Sequence, residues 1–265
     1  MNEGGHPPHA VLLRDPARDL NLVAVALAAR SKLSPENWMP ALRRNWGILL
    51  EPSSAEEAEA LANALTKAGH AAVAVPVSLL EDPPAPVLVA KAELWGDGFD
   101  VVAGESERLS WSRLKVISAG AVSRSDSKSV TEGPSLAEKS VRLGLTMATG
   151  LPLMGGKTKT RAVVTERRES FIELIFVEPA RRVRIMAANF DYAALGEKMS
   201  YSAELNFRAL VGELTARAPA ALRGKGARGV LTKAPSGELA YESFEEVERE
   251  ERWLLALAVL GAALP

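Results

Sequence analysis

The chain contains no cysteine and only three histidines, His6, His9 and His70. Without thiols there is no disulfide, no thiolate metal site and no cysteine nucleophile. His6 and His9 fall in a proline-rich N-terminus, and His70 follows a helix end beside alanines. No Ser-His-acid set and no zinc-ligand spacing emerges from them. An excess of one charge sign is lacking too. Lys and Arg number 32 against 33 Asp and Glu, a net charge of -1, which removes the global electrostatic case for nucleic acid. Long apolar runs are also missing. The longest, Trp253 to Leu264, covers 12 residues, and a membrane-spanning helix needs about 20. Residues 1–9 hold no apolar core of a secretory signal. The expectation is a soluble cytoplasmic protein without metal or cofactor.

What is present is ordinary for a folded chain: 47% hydrophobic and 25% charged residues. Charge is nevertheless uneven along the sequence. Lys157 to Arg184 carries eight basic residues against four acids, and Glu238 to Arg252 carries seven acids against two arginines. Two solvated faces, salt-bridged to each other, are the plain reading. A basic surface for an acidic partner is the other.

Residues 1–9 read as a disordered N-terminus, and residues 10–80 as a β-α-α-β-α-β module. Leu20, Val23, Ala24, Leu27 and Ala28 recur at helical spacing. Ser34-Pro35-Glu36 starts a second helix, with Ser at the N-cap and Pro in the first turn. Trp46 to Leu50 reads as a strand. Ser53-Ser54-Ala55-Glu56-Glu57 holds two overlapping capping boxes before the stripe Ala58, Leu61, Ala62 and Leu65. Gly69 suits the positive φ of a helix C-terminus. The stretches Ala24 to Arg30, Ser54 to Leu61 and Ala68 to Val73 resemble the C-terminal domain of the ribosomal stalk protein L7/L12, and more loosely the Clp adaptors. That resemblance implies a small protein-docking module. Of the basic surface on which the stalk family docks its factors, Arg30 is kept, while Leu27 stands where a lysine is expected.

Residues 81–86, with three prolines in Pro83-Pro84-Ala85-Pro86, read as a stiff linker. Beyond it the pattern turns to strands: Val87 to Leu94, Phe99 to Ala103, Arg108 to Ser110, Leu114 to Ala121, Thr160 to Thr165, Phe171 to Val177 and Val183 to Ala188. A helix over Ser202 to Arg217 follows, with Leu205, Ala209, Val211 and Leu214 near its buried side. Seven strands and a helix, with the fragment Leu109 to Ile117 around Trp111, resemble the pleckstrin-homology superfold of bacteria over residues 87–218. The expected class is therefore α+β: the small module, then a seven-stranded antiparallel barrel, then an extension over 219–265 with a C-terminal helix.

The insertion 123–159 exceeds an ordinary loop. Its apolar part, with Leu143, Leu145, Met147 and Leu151, and the basic residues Lys157 and Lys159 after it, serves either as a lid or as a surface for a partner or an anionic membrane. Gly150 to Thr158 is not a phosphate-binding loop, because the first glycine that Gly156-Lys157 requires falls on Leu151. In the C-terminal helix, from about Ser243 to Leu260, the second half is apolar all round and must be buried. It docks on this chain's own core, on a second copy through Trp253 to Leu264, or on a membrane. The pairs Glu56-Glu57 and Glu245-Glu246 read as solvating or capping groups. Phe190, Tyr192 and Phe207 either close the barrel or form a peptide-binding edge. No catalytic constellation appears. The reading is a non-enzymatic adaptor that binds a protein or peptide. A peripheral lipid binder acting through residues 136–168 and an enzyme of unrecognised type are the alternatives.

Overall fold

A computed structural model of the chain describes residues 7–14, 20–29, 31, 33–103, 105–132 and 159–261. The N-terminal elements follow the expected order: β1 (His9–Leu13), α1 (Leu20–Ala28), α2 (Pro35–Asn45), β2 (Ile48–Ser53), α3 (Ala55–Lys67) and β3 (Ala72–Pro76). β1 is the middle strand of an antiparallel sheet ordered β2-β1-β3. Its run Ala10-Val11-Leu12-Leu13 is buried throughout, because successive strand side chains point to opposite faces and both faces are covered. Val11 and Leu13 pack on Val23, Leu42, Leu61 and Leu65 of the three helices. Ala10 and Leu12 pack on the other side, against the C-terminal helix.

Of the two capping boxes expected at α3, one forms. The Ser54 hydroxyl accepts from the Glu57 amide and the Glu57 carboxylate accepts from the Ser54 amide, both at 3.2 Å. Ser53 instead donates to the His9 carbonyl at 3.0 Å, tying β2 to β1. Gly69 has φ +91° and ends the helix as expected. Trp46 does not begin a strand. It caps α2 at φ 54°, and β2 starts two residues later.

The remaining elements are β4 (Pro86–Leu88), β5 (Ala92–Leu94), β6 (Gly98–Ala103), β7 (Glu105–Ser110), β8 (Leu114–Glu132), β9 (Lys159–Phe176), β10 (Arg181–Met186), α4 (Ala203–Arg217), β11 (Leu222–Arg223), α5 (Lys225–Leu231), β12 (Ala240–Tyr241) and α6 (Phe244–Val259). The class is α+β, but the described strands close no barrel. β5, β6 and β7 form an antiparallel meander by themselves. β8, β9 and β10 lie in a second, larger sheet ordered β11-β8-β9-β10-β4, with β12 also on β8. Its edge partners β4, β11 and β12 all pair in parallel. The physical reason lies in the helices. Both faces of this sheet are covered by other elements, so it need not curl on itself to bury apolar surface.

On one face, Ile172, Leu174 and Phe176 pack with Phe207, Leu210 and Leu214 of α4. Leu205, expected inward, is 57% exposed, and Leu210 takes the inner position. On the other face, α6 lies between the two sheets: Trp253, Leu254 and Leu257 meet Leu12 and Ile48 on one side and Val116 and Ile175 on the other. Most of the apolar half of α6 is thus covered by this chain, with Val259 left exposed. Removing a buried indole of this kind costs roughly 3–5 kcal/mol.

The chain divides into two compact units, residues 1–122 with 169–265, and residues 123–168. In the smaller unit, residues 123–132 and 159–168 are strand, where a polar loop was expected over the first of these stretches. The fold described above belongs to the larger unit.

Candidate functional site

The aromatic residues expected at a peptide-binding edge lie in the core. Phe190, Tyr192 and Phe207 are 7%, 7% and 1% exposed and belong to one apolar cluster. The Tyr192 hydroxyl donates to the Ala187 carbonyl at 3.1 Å, and burial, with Glu204 nearby, pushes its pKa up to about 12. An anchor for a partner must be exposed, so these three residues stabilise the fold instead. Arg30, Leu143, Leu145, Met147, Leu151 and Lys157 fall outside the described residues. Lys159 is the first residue of β9.

The two oppositely charged stretches do meet, but not as solvated faces. β9 and β10 turn Glu173, Arg182 and Arg184 toward α6, on the side opposite Ile172, Leu174, Val183 and Ile185. Arg182 donates from Nε to Glu173 at 2.5 Å and from Nη1 to Glu248 at 2.9 Å. Its Nη2 lies 2.9 Å from Glu251 Oε2, out of line for a hydrogen bond. Arg184 pairs with the other oxygen of Glu173 and stacks 3.7 Å over the Phe244 ring. Beside this set, Glu250 accepts from the Tyr241 hydroxyl and from the Lys225 amide, each at 2.6 Å. Glu173, Glu250 and Glu251 are all fully buried.

Burial raises the pKa of Glu251 well above the usual carboxylate value, and the Glu173 charge adds to the effect. Burial also raises Glu250, against the opposing pull of its bonds from Tyr241 and Lys225. The Tyr241 phenol is pushed up for the same reason. No acidic member of this set except Glu248 reaches solvent, so the set clamps α6 to the larger sheet and offers no substrate access.

A different group of charges surrounds an open cleft of about 480 Å³ where α2 meets the start of α6. Leu42 and Trp253, both buried, make its floor, and Leu20 and Pro40 line a wall. Pro40 sits inside α2, where its ring cannot donate to the helix ladder. Gly47 brings the backbone against the floor: a Cβ there would stand 2.2 Å from Trp253 Nε1. That indole is held in turn by its 2.8 Å bond to the Leu13 carbonyl. Trp46 lines the same cleft at φ 54°. Such an angle costs a bulky residue on the order of 1–3 kcal/mol and clusters at working sites.

The rim carries Arg43, Arg44 and Arg249, with Glu242 and Glu246. Glu246 is engaged, accepting from the Glu242 amide at 2.7 Å. None of the three arginines forms an ion pair with a described residue, in contrast to Arg182. Two buried donors at the cleft, Trp46 Nε1 and Arg249 Nε, have no hydrogen-bond partner among the described residues. A second cleft of about 620 Å³ lies under Pro83 and Pro84. Two of its arginines are ion-paired, Arg252 on Asp82 at 3.2 Å and Arg182 on Glu248, and its third, Arg249, also lines the first cleft. The first cleft is therefore the better candidate site.

Sequence reasoning missed this cleft. Arg43 and Arg44 are ordinary cations in the last turn of α2. The turn that brings Trp46 and Arg249 together depends on α6, some 200 residues away. Among the described residues there is no group of three or more His, Asp or Glu able to hold a metal ion, and no helix long and apolar enough to cross a membrane. No protein-family model, curated protein or solved structure matches the chain.

Proposed function

We propose that the chain is a non-enzymatic interaction protein, an adaptor that holds a protein partner at the cleft between α2 and α6. The observation that supports this reading is the chemistry of the cleft lining. It combines a tryptophan-walled apolar floor with guanidinium groups that have no partner in the described structure. Trp and Arg are the side chains on which protein interfaces concentrate their binding energy. A volume near 480 Å³ accommodates one or two anchoring side chains of a partner, within the roughly 300–1,000 Å³ usual for recognition pockets.

The test is a site-specific photo-crosslinker at position 44 of the full chain, compared with one placed at the exposed position 259 on α6. A single protein species joined from position 44 and absent from position 259 is the expected result. Turnover of a small molecule by the purified chain, abolished by Glu246→Gln, would overturn the reading.

A further inference from the structure

The cleft also indicates the chemistry of its occupant. We infer that it binds an acidic segment of a partner protein in which an Asp or Glu lies next to a large apolar residue. The inference rests on the adaptor reading and deepens it. Three features of the cleft each demand something different of a ligand, and such a segment meets all three.

The first demand is negative charge. The rim holds three guanidinium groups against two carboxylates, an excess of one positive charge. An unpaired cation beside apolar walls attracts an anion more strongly than one in open solvent. The second is hydrogen-bond acceptors. Trp46 Nε1 and Arg249 Nε are buried donors without a partner, and a buried donor left unmade destabilises the chain until an acceptor reaches it. A carboxylate offers two oxygens and a peptide offers carbonyls as well. The third is apolar surface. Leu20, Pro40 and Trp46 line the cleft above the buried Leu42 and Trp253 and keep surface open to solvent, and a large apolar group displaces water from them favourably. A bare phosphate or sulfate satisfies the first two demands and leaves these walls wet. A basic segment is repelled by the rim.

The strained turn fits the same account. Trp46 at φ 54° points its indole to where Lys225 Nζ stands 5.7 Å and the Tyr241 ring 6.2 Å from it. The strain thus places an unmatched N–H in a wall that the chain itself does not complete.

The experiment measures fluorescence polarisation of labelled octapeptides alternating Glu with Leu or Phe, titrated with the full chain in low salt. Peptides with Gln for Glu, and with Ser for the apolar residues, are the controls. Saturable binding by the Glu-Leu peptide is expected, weakened about tenfold or more by either control and by Arg43→Gln with Arg44→Gln. Trp46→Phe, which keeps the ring and removes the N–H, should weaken binding severalfold while the far-ultraviolet spectrum stays unchanged. Equal binding of the Gln and Glu peptides overturns the inference, as does indifference to the arginine substitutions. Phenylacetate alone binding as tightly as the peptide also overturns it, since the site would then take a small anion. If position 44 still crosslinks a partner while the acidic peptides fail, the adaptor reading stands and the inference about charge falls. If neither occurs, both fall.

Discussion

The two charged regions that α6 borders use the same side chains to opposite ends. On the side facing the larger sheet, Arg182 contacts Glu173, Glu248 and Glu251, and its side chain is 1% exposed. At the opposite margin, Arg43, Arg44 and Arg249 surround a cleft and pair with no described residue. In the first region both arginines are ion-paired within the chain, and the result is a clamp. In the second no arginine forms an ion pair with a described residue, as the proposed receptor role requires. Whether an arginine is partnered, rather than how many arginines a segment holds, distinguishes structure from recognition here.

Breaking the clamp should have the largest effect. Arg182→Met leaves Glu251 without its cation and Glu173 with Arg184 alone, and should cost roughly 3–5 kcal/mol in urea unfolding. A loss under 1 kcal/mol would mean that water or relaxation answers the carboxylates and that the clamp is not structural. Next in size is Gly47→Ala, which forces a Cβ against the Trp253 indole at 2.2 Å. Because Trp253 is buried and hydrogen-bonded, the floor of the cleft must shift, at about 1–3 kcal/mol by overpacking.

The pH dependence sharpens the comparison further. Glu250 and Glu251 have raised pKa values in the fold, so the folded chain holds their protons more tightly than the unfolded chain does. Their contribution is fully present below about pH 4.5 and declines as pH rises from there through the folded pKa values. Glu251→Gln mimics the protonated form, and should flatten that decline in unfolding free energy measured from pH 4.5 to 8. An unchanged slope would place the proton elsewhere.

Much of the fold was legible because its cues are local. The Ser54–Glu57 box, the stripe from Ala58 to Leu65 and Gly69 lie within 16 residues of one another, and the helix forms between them. Ser202 and Ser243 likewise marked the starts of α4 and α6. The sheet arrangement was not legible, and the barrel expected in its place does not form among the described strands. The strand patterns around Phe99, Val116 and Phe171 are real, but which sheet each joins depends on α6 lying between two sheets. The short elements β11, α5 and β12 carry too little periodicity to stand out.

The clamp escaped for a related reason. Seven acids in Glu238 to Arg252 look like a solvated face unless Arg182 and Arg184, more than fifty residues earlier, are known to lie against them. The inward-facing Glu173 interrupts an otherwise apolar strand, Phe171 to Phe176, and was the one signal in the sequence that pointed to it. The cleft offered less still, since no motif joins Trp46 to Arg249.

The most direct test of the distinction between clamp and receptor is the urea-unfolding free energy of the triple variant Arg43→Gln, Arg44→Gln, Arg249→Gln. Arginines held for a partner contribute little to folding, so the account predicts a change within about 0.5 kcal/mol of the native chain. A loss of about 2 kcal/mol or more would make these arginines part of the scaffold and contradict the account.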